Sequence, residues 1–283
     1  MGVTRIPEFI DSLKSAKTID DGLSICQTEV DYLSDNGTLS TKKSWFTDYR
    51  NAIKQTFGDK SQFLKKFVLT KEESKQLKKA ESTQVYSRHT EKRASKGTIS
   101  GDDLILKSEE LIQSNSYLNV ALGLMLLTGR RATEILKTAK FEKIDSNTVL
   151  FSGQLKTKDS ENAQTKPYAI PVLSDSDLII ASLARLRELR DFSMLTPDEV
   201  HSRCNKSLNE NVKRHYGEIV TTPNVKNLRH LYAAINHSWN YEESDYLKSQ
   251  FSIQAYIASI LGHKKEDLVT ANSYQDFIGM IAD

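Results

Sequence analysis

The 283-residue chain is short of cysteine and of proline, with two of the first and five of the second. Cys26 and Cys204 lie far apart and no C-x-x-C pair occurs, which excludes a disulfide framework and points to a reducing compartment. Six histidines are scattered without an H-E-x-x-H or similar spacing, so no metal site is expected. Long apolar runs are also missing. The longest, Leu118 to Leu127, is ten residues, whereas a spanning helix needs about 20. The N-terminus has no apolar signal region and no Ser or Thr at position six, so neither secretion nor myristoylation is expected. These absences leave a cytoplasmic chain without membrane contact. At 38% hydrophobic and 27% charged residues it has an ordinary globular composition. Its length suggests about two domains of ~100–200 residues.

Charge of one sign is scarce overall, with a net of only +2, but it is unevenly spread. Residues 1–41 carry 3 basic and 7 acidic side chains, residues 42–96 carry 15 and 6, and residues 97–283 carry 21 and 24. Concentrated positive charge suits a polyanion, because each neutralised phosphate releases counterions. A solvated lysine-rich helix face would look the same.

The first ninety-odd residues read as helices. Ile6, Phe9, Ile10 and Leu13 share one face, as do Leu23, Val30 and Leu33. Trp45, Tyr49, Ile53 and Phe57 recur every four residues from Thr41 on, and Phe63, Phe67 and Val68 continue the pattern. Aromatics at this spacing are more often core than base-stacking platforms. Ser87 to Gly97 is polar and basic without an apolar period and reads as a linker. A boundary is therefore expected between a helical domain 1–96 and a second domain 97–283.

The second domain opens with Ser100 as a helix cap and a helix through Ile112. Tyr117 to Thr128 reads as a buried helix stopped by Gly129, and Arg131 to Ala139 as a restarted one. Strands are expected at Phe141–Ile144, Thr148–Phe151, Gln154–Lys158 and Tyr168–Val172, making a sheet of about three strands. From Ser174 on, helices return, broken at Pro197 and Pro223. The fold class is mainly α with one small antiparallel β-sheet.

Five short segments carry groups suited to phosphoryl chemistry. They are Thr128-Gly129-Arg130-Arg131 with Glu134 following; Lys156; Lys226-Asn227-Leu228-Arg229-His230; Leu261-Gly262-His263-Lys264; and Ser273-Tyr274. Metal-free transfer of a phosphodiester needs a nucleophile, fixed cations for the developing charge and an acid for the departing oxygen. Arginine suits the second task through bidentate hydrogen bonds to phosphate. Lys158 rivals Lys156 on the same presumed hairpin. Tyr256 rivals Tyr274, but sits in an apolar helical stretch where a core role is the simpler reading. Arg131 taken alone could be no more than a salt-bridge partner of Glu134, and His230 could simply pack.

Taken in order, these segments resemble the catalytic domain of tyrosine recombinases over roughly residues 100–278. TGRRATEIL is similar to the family's first box, whose arginine precedes the glutamate by three, and this selects Arg131. LGHKK resembles its LGH box. Two departures are informative. Lys226 stands where most members have histidine, and Tyr274 lies eleven residues after His263 where most members have tyrosine at nine. Both departures, and the 25-residue gap from Arg131 to Lys156, resemble the telomere resolvase (protelomerase) branch.

The resemblance implies a DNA cleaving-rejoining enzyme with a 3′-phosphotyrosyl intermediate, no cofactor and no metal, which makes closed hairpin ends. Arg131 and Arg229 would clamp the non-bridging oxygens, and Lys156 would protonate the leaving 5′ oxygen. Lys226 would add charge, His263 would hydrogen-bond a phosphate oxygen, and Tyr274 would be the nucleophile. It also implies a C-shaped clamp on palindromic double-stranded DNA, bound as a homodimer, with residues 1–96 as the DNA-clamp domain. Lys42, Lys43, Lys65, Lys66, Arg88 and Arg93 are the candidate phosphate contacts. An integrase, a type IB topoisomerase and a non-catalytic DNA binder are the alternatives.

Overall fold

The computed structural model describes residues 3–80, 98–155, 166–221, 223–263, 274 and 277–282. Lys156, Lys158, Arg88 and Arg93 lie outside the described residues. The chain divides into two compact units, residues 1–94 and 95–283.

The first unit is helical: α1 (Ile6–Lys14), α2 (Ile19–Asp35), α3 (Leu39–Phe57) and α4, which covers residues 71–80. Thr18 and Asp21 close α2 with a reciprocal capping box, and Thr38 caps α3. Phe9, Tyr49, Phe46 and Phe67 pack ring against ring at centroid distances of 5.0 to 5.6 Å, so these aromatics are core. Phe46 joins Tyr49 and Ile53 on the buried face of α3, while Val68 is exposed. Inside this core Glu29 accepts from Arg5 (3.0 and 3.1 Å) and from the Tyr49 hydroxyl (2.6 Å). The buried carboxylate is thereby paired, as a buried charge must be.

The second unit opens with the two-residue strand β1 (Ile99–Ser100), then α5 (Gly101–Ile112) and α6 (Tyr117–Thr128). Helix α6 is buried without interruption from Val120 to Thr128, as its apolar run from Val120 to Leu127 requires. Around it lie α5, α7 (Ser176–Leu189), α8 (Pro197–Tyr216) and α9 (Val225–Asn236). As expected, the helices break at Pro197. It occupies the first position of α8, where its missing N–H costs nothing, behind the Thr196–Glu199 capping box.

β2 (Lys140–Lys143), β3 (Thr148–Ser152) and β4 (Tyr168–Pro171) form the antiparallel sheet, in that order. Phe141 pairs with Phe151 and Val149 with Ile170, and these four side chains face the core. Gln154 and Leu155 are not part of a strand, so the expected strand from Gln154 does not start there. Their polar groups bond instead to side chains and to the end of a helix. The restart after Gly129 is a wide π-type turn, with Ala139 N donating to Glu134 O at 2.7 Å. Two further helices, α10 (Asp245–Gln250) and α11 (Ile253–Leu261), lead toward the last strand, β5 (Ile281–Ala282), which pairs in parallel with β1. No helix among the described residues is long and apolar enough to cross a membrane.

Candidate active site

Gly129 ends α6 in the left-handed region (φ 65°) and a Cβ there would collide with the Tyr232 ring, so the turn demands glycine. It delivers two arginines to different environments. Arg130 is fully buried and all three of its nitrogens are used: Nε to Thr128 O (3.0 Å), Nη1 to the Tyr168 hydroxyl (2.5 Å) and Nη2 to Ile260 O (2.6 Å). Arg131, with its side chain 28% exposed, reaches the cavity described below.

The organiser of this turn is Glu134, whose side chain is fully buried. One oxygen accepts from Arg131 Nη1 (2.7 Å) and Leu155 N (3.1 Å), the other from Arg131 N (3.0 Å). Burial alone would raise its pKa. The charges of Arg131, Arg229 and Arg130 outweigh that and hold the carboxyl below its ordinary value. Because Leu155 is bound on both sides, its N–H by Glu134 and its carbonyl by Arg131 Nη1 (3.3 Å), the chain just before Lys156 is fixed to the arginine turn.

Asn224 caps α9 through Asn227 N, with Lys226 on the first turn and Arg229 three residues further on. Lys226 is exposed. Arg229 is 5% exposed and donates to Gly129 O (2.5 Å) and Leu261 O (2.7 Å), so it ties the α6 end to the α11 end. Burial, then the nearby Arg130 and Arg131, push its pKa down to about 10, so it stays a cation at neutral pH. Two of its five N–H donors are used this way, which leaves donors for an anion.

Gly262 ends α11 in the left-handed region (φ 67°) and His263 follows. Tyr274, 8% exposed, lies beside these groups. Its ring is 4.5 Å from the His230 ring, 5.2 Å edge-on to the His263 ring and 5.6 Å from the Arg229 guanidinium carbon. Arg131, Lys226, Arg229 and Tyr274 line one cavity of about 920 Å³, whose far wall is α8. These four expected residues are thus brought together, His263 touches the Tyr274 ring, and Lys156 lies outside the described residues. Tyr256 packs against Tyr241 at 5.2 Å and its hydroxyl points to Asn236 O (3.4 Å), which is a core position.

Glu134, Gln154 and Tyr168 were not among the residues expected in the site, and His230, left open between packing and catalysis, packs against the Tyr274 ring. Glu134 had a signal, its spacing from Arg131. Gln154 and Tyr168 had none, since their partners are distant in sequence. In the first unit Lys43 and Lys65 are exposed; Lys42 pairs with Glu73 (2.8 Å) and Lys66 donates to Gln27 (3.0 Å).

Protelomerase TelA covalently complexed with substrate DNA superposes with a TM-score of 0.80 at 26% identity, over 96% of this chain and 86% of that one. A variant of protelomerase TelA complexed with a DNA hairpin product gives 0.82 at 25%, over the same shares. Telomere resolvase ResT of Borreliella burgdorferi is 24% identical over 157 residues, which are 55% of this chain. The chain spans 33% of the length of that curated relative. Residues 96–277 match the telomere resolvase ResT/TelK catalytic domain, and the chain belongs to that family.

Proposed function

We propose that the chain cuts and rejoins DNA through Tyr274 and converts a palindromic duplex into two closed hairpin ends, as a telomere resolvase. The observation that carries this reading is the single cavity lined by Arg131, Lys226, Arg229 and Tyr274 in a chain of this family. The Tyr274 oxygen attacks phosphorus as its proton passes to water, and the P–O5′ bond breaks. Lys156 gives its proton to the departing 5′ oxygen. Arg131 and Arg229 neutralise the non-bridging oxygens, Lys226 adds charge and His263 donates a hydrogen bond. The 3′-phosphotyrosine keeps the bond energy, so the 5′ hydroxyl of the opposite strand can displace Tyr274 without an external energy source.

A palindrome presents two identical half-sites, so two copies related by a twofold axis are the fitting assembly. The basic stretch of residues 42–96 supplies sequence-independent phosphate contacts, with Lys42, Lys43, Lys65, Lys66, Arg88 and Arg93 as candidates. Work on DNA in the cytosol agrees with two free, buried cysteines.

The test uses end-labelled inverted-repeat duplexes from the host replicon, incubated with the chain and separated on a denaturing gel. Snap-back hairpin products are expected. Exchange of strands between two duplexes would indicate an integrase instead, and relaxation of any supercoiled plasmid a topoisomerase. Salt-sensitive binding with no covalent species would leave only a DNA binder.

A further inference from the structure

The end of α11 is held in an unusual way. Three successive carbonyls, which a helix end leaves without internal partners, each accept from a different side chain. Ile260 O accepts from Arg130 (2.6 Å), Leu261 O from Arg229 (2.7 Å) and Gly262 O from Gln154 Nε2 (2.8 Å). Gln154 in turn accepts from the Tyr168 hydroxyl at its Oε1 (2.6 Å), and that hydroxyl accepts from Arg130 Nη1 (2.5 Å).

The direction of this relay is fixed by chemistry. A guanidinium only donates, so Tyr168 must give its own proton onward to Gln154 Oε1. The amide is thereby oriented with its NH₂ toward Gly262 O. A Cβ at Gly262 would collide with both the Tyr168 hydroxyl and Gln154 Oε1, so the contact is close-packed as well as hydrogen-bonded. The next residue is His263, whose ring meets Tyr274.

We infer that Gln154, oriented by Tyr168 and Arg130, is a positioning residue that acts through His263. It sets where the imidazole stands relative to Tyr274 and the phosphate. This rests on the cleavage reading above.

The distinguishing variant is Gln154→Glu, which keeps the shape but has no donor for Gly262 O. Tyr168→Phe, which frees the amide to turn, is the second variant should the first fail to fold. Single-turnover formation of the covalent complex on the inverted-repeat duplex is measured alongside DNA affinity. Gln154→Glu should slow cleavage by about 10- to 100-fold, the range expected for a displacement of order 1 Å, with affinity unchanged. In a His263→Ala background the same substitution should cost less than about twofold, since coupled residues are non-additive. Tyr168→Phe should follow the same pattern. An equal loss with and without His263, or a loss of affinity that accounts for the rate, overturns the inference. A wild type that cleaves while both variants cleave as fast overturns it alone. A wild type that forms no covalent complex overturns the cleavage reading and this inference with it.

Discussion

Replacing Glu134 by glutamine removes one negative charge from among three arginines with almost no change of shape. The carboxylate is fully buried and binds Arg131 twice, at 2.7 and 3.0 Å, and Leu155 N at 3.1 Å. Breaking a buried ion pair costs about 3–5 kcal/mol. Arg131 is 28% exposed, so water screens part of the loss, and glutamine can still accept from Leu155 N. About 2–3 kcal/mol is the resulting expectation for the second unit. For a unit of about 150–250 residues each kcal/mol moves the melting temperature by about 2–4 °C, giving a drop of roughly 5–10 °C. Calorimetry of the full chain reads it as a shift of one of two transitions. The sign of the pH dependence follows from the lowered carboxyl pKa. The stabilisation is fully present above the ordinary glutamate value of 4.5 and is lost as pH falls through the lower folded value. The gap between wild type and Glu134→Gln should therefore be constant near neutrality and close in acid. A shift under about 1 °C at neutral pH, below what even ~0.5 kcal/mol would produce, would refute the view that Glu134 holds the arginine turn together.

Other substitutions test separate parts of the account. Gly262→Ala combines left-handed backbone with a collision against Tyr168 and Gln154, and should cost at least about 1–2 kcal/mol in a denaturant titration. Tyr256→Phe removes a hydroxyl that bonds Asn236 O at a long 3.4 Å and also interacts with Asn240, and should leave covalent-complex formation within about twofold, since such bonds contribute about 0.5–1.5 kcal/mol to stability and these are remote from the chemistry. Charge reversal at the exposed Lys43 and Lys65 should weaken binding of all DNA sequences about equally and flatten the salt dependence by about one unit per lost contact. A loss confined to one sequence would rule out backbone contact.

Much of this fold was legible because its signals are local. The apolar run of α6, the Ser100 cap, and the alternation of Phe141, Val149, Phe151 and Ile170 each state their element within a few residues. The pairing of β1 with β5 was not legible, since two two-residue strands some 180 residues apart carry no pattern. The break at Pro197 was legible as well, and the proline there serves as the first residue of α8. In the site, the order of short motifs marked which residues to compare, and glycine turns at Gly129 and Gly262 explain how two of those motifs converge. The split between Arg130 and Arg131 in burial, and the relay through Gln154 and Tyr168, depend on partners from other elements that no spacing announces.

The most direct test of the central claim is to trap the protein–DNA adduct on an inverted-repeat duplex, digest both components and identify the modified peptide by mass spectrometry. The account predicts a nucleotide 3′-phosphate on Tyr274, and no adduct from Tyr274→Phe. An adduct on another residue, or one that persists in Tyr274→Phe, would contradict it.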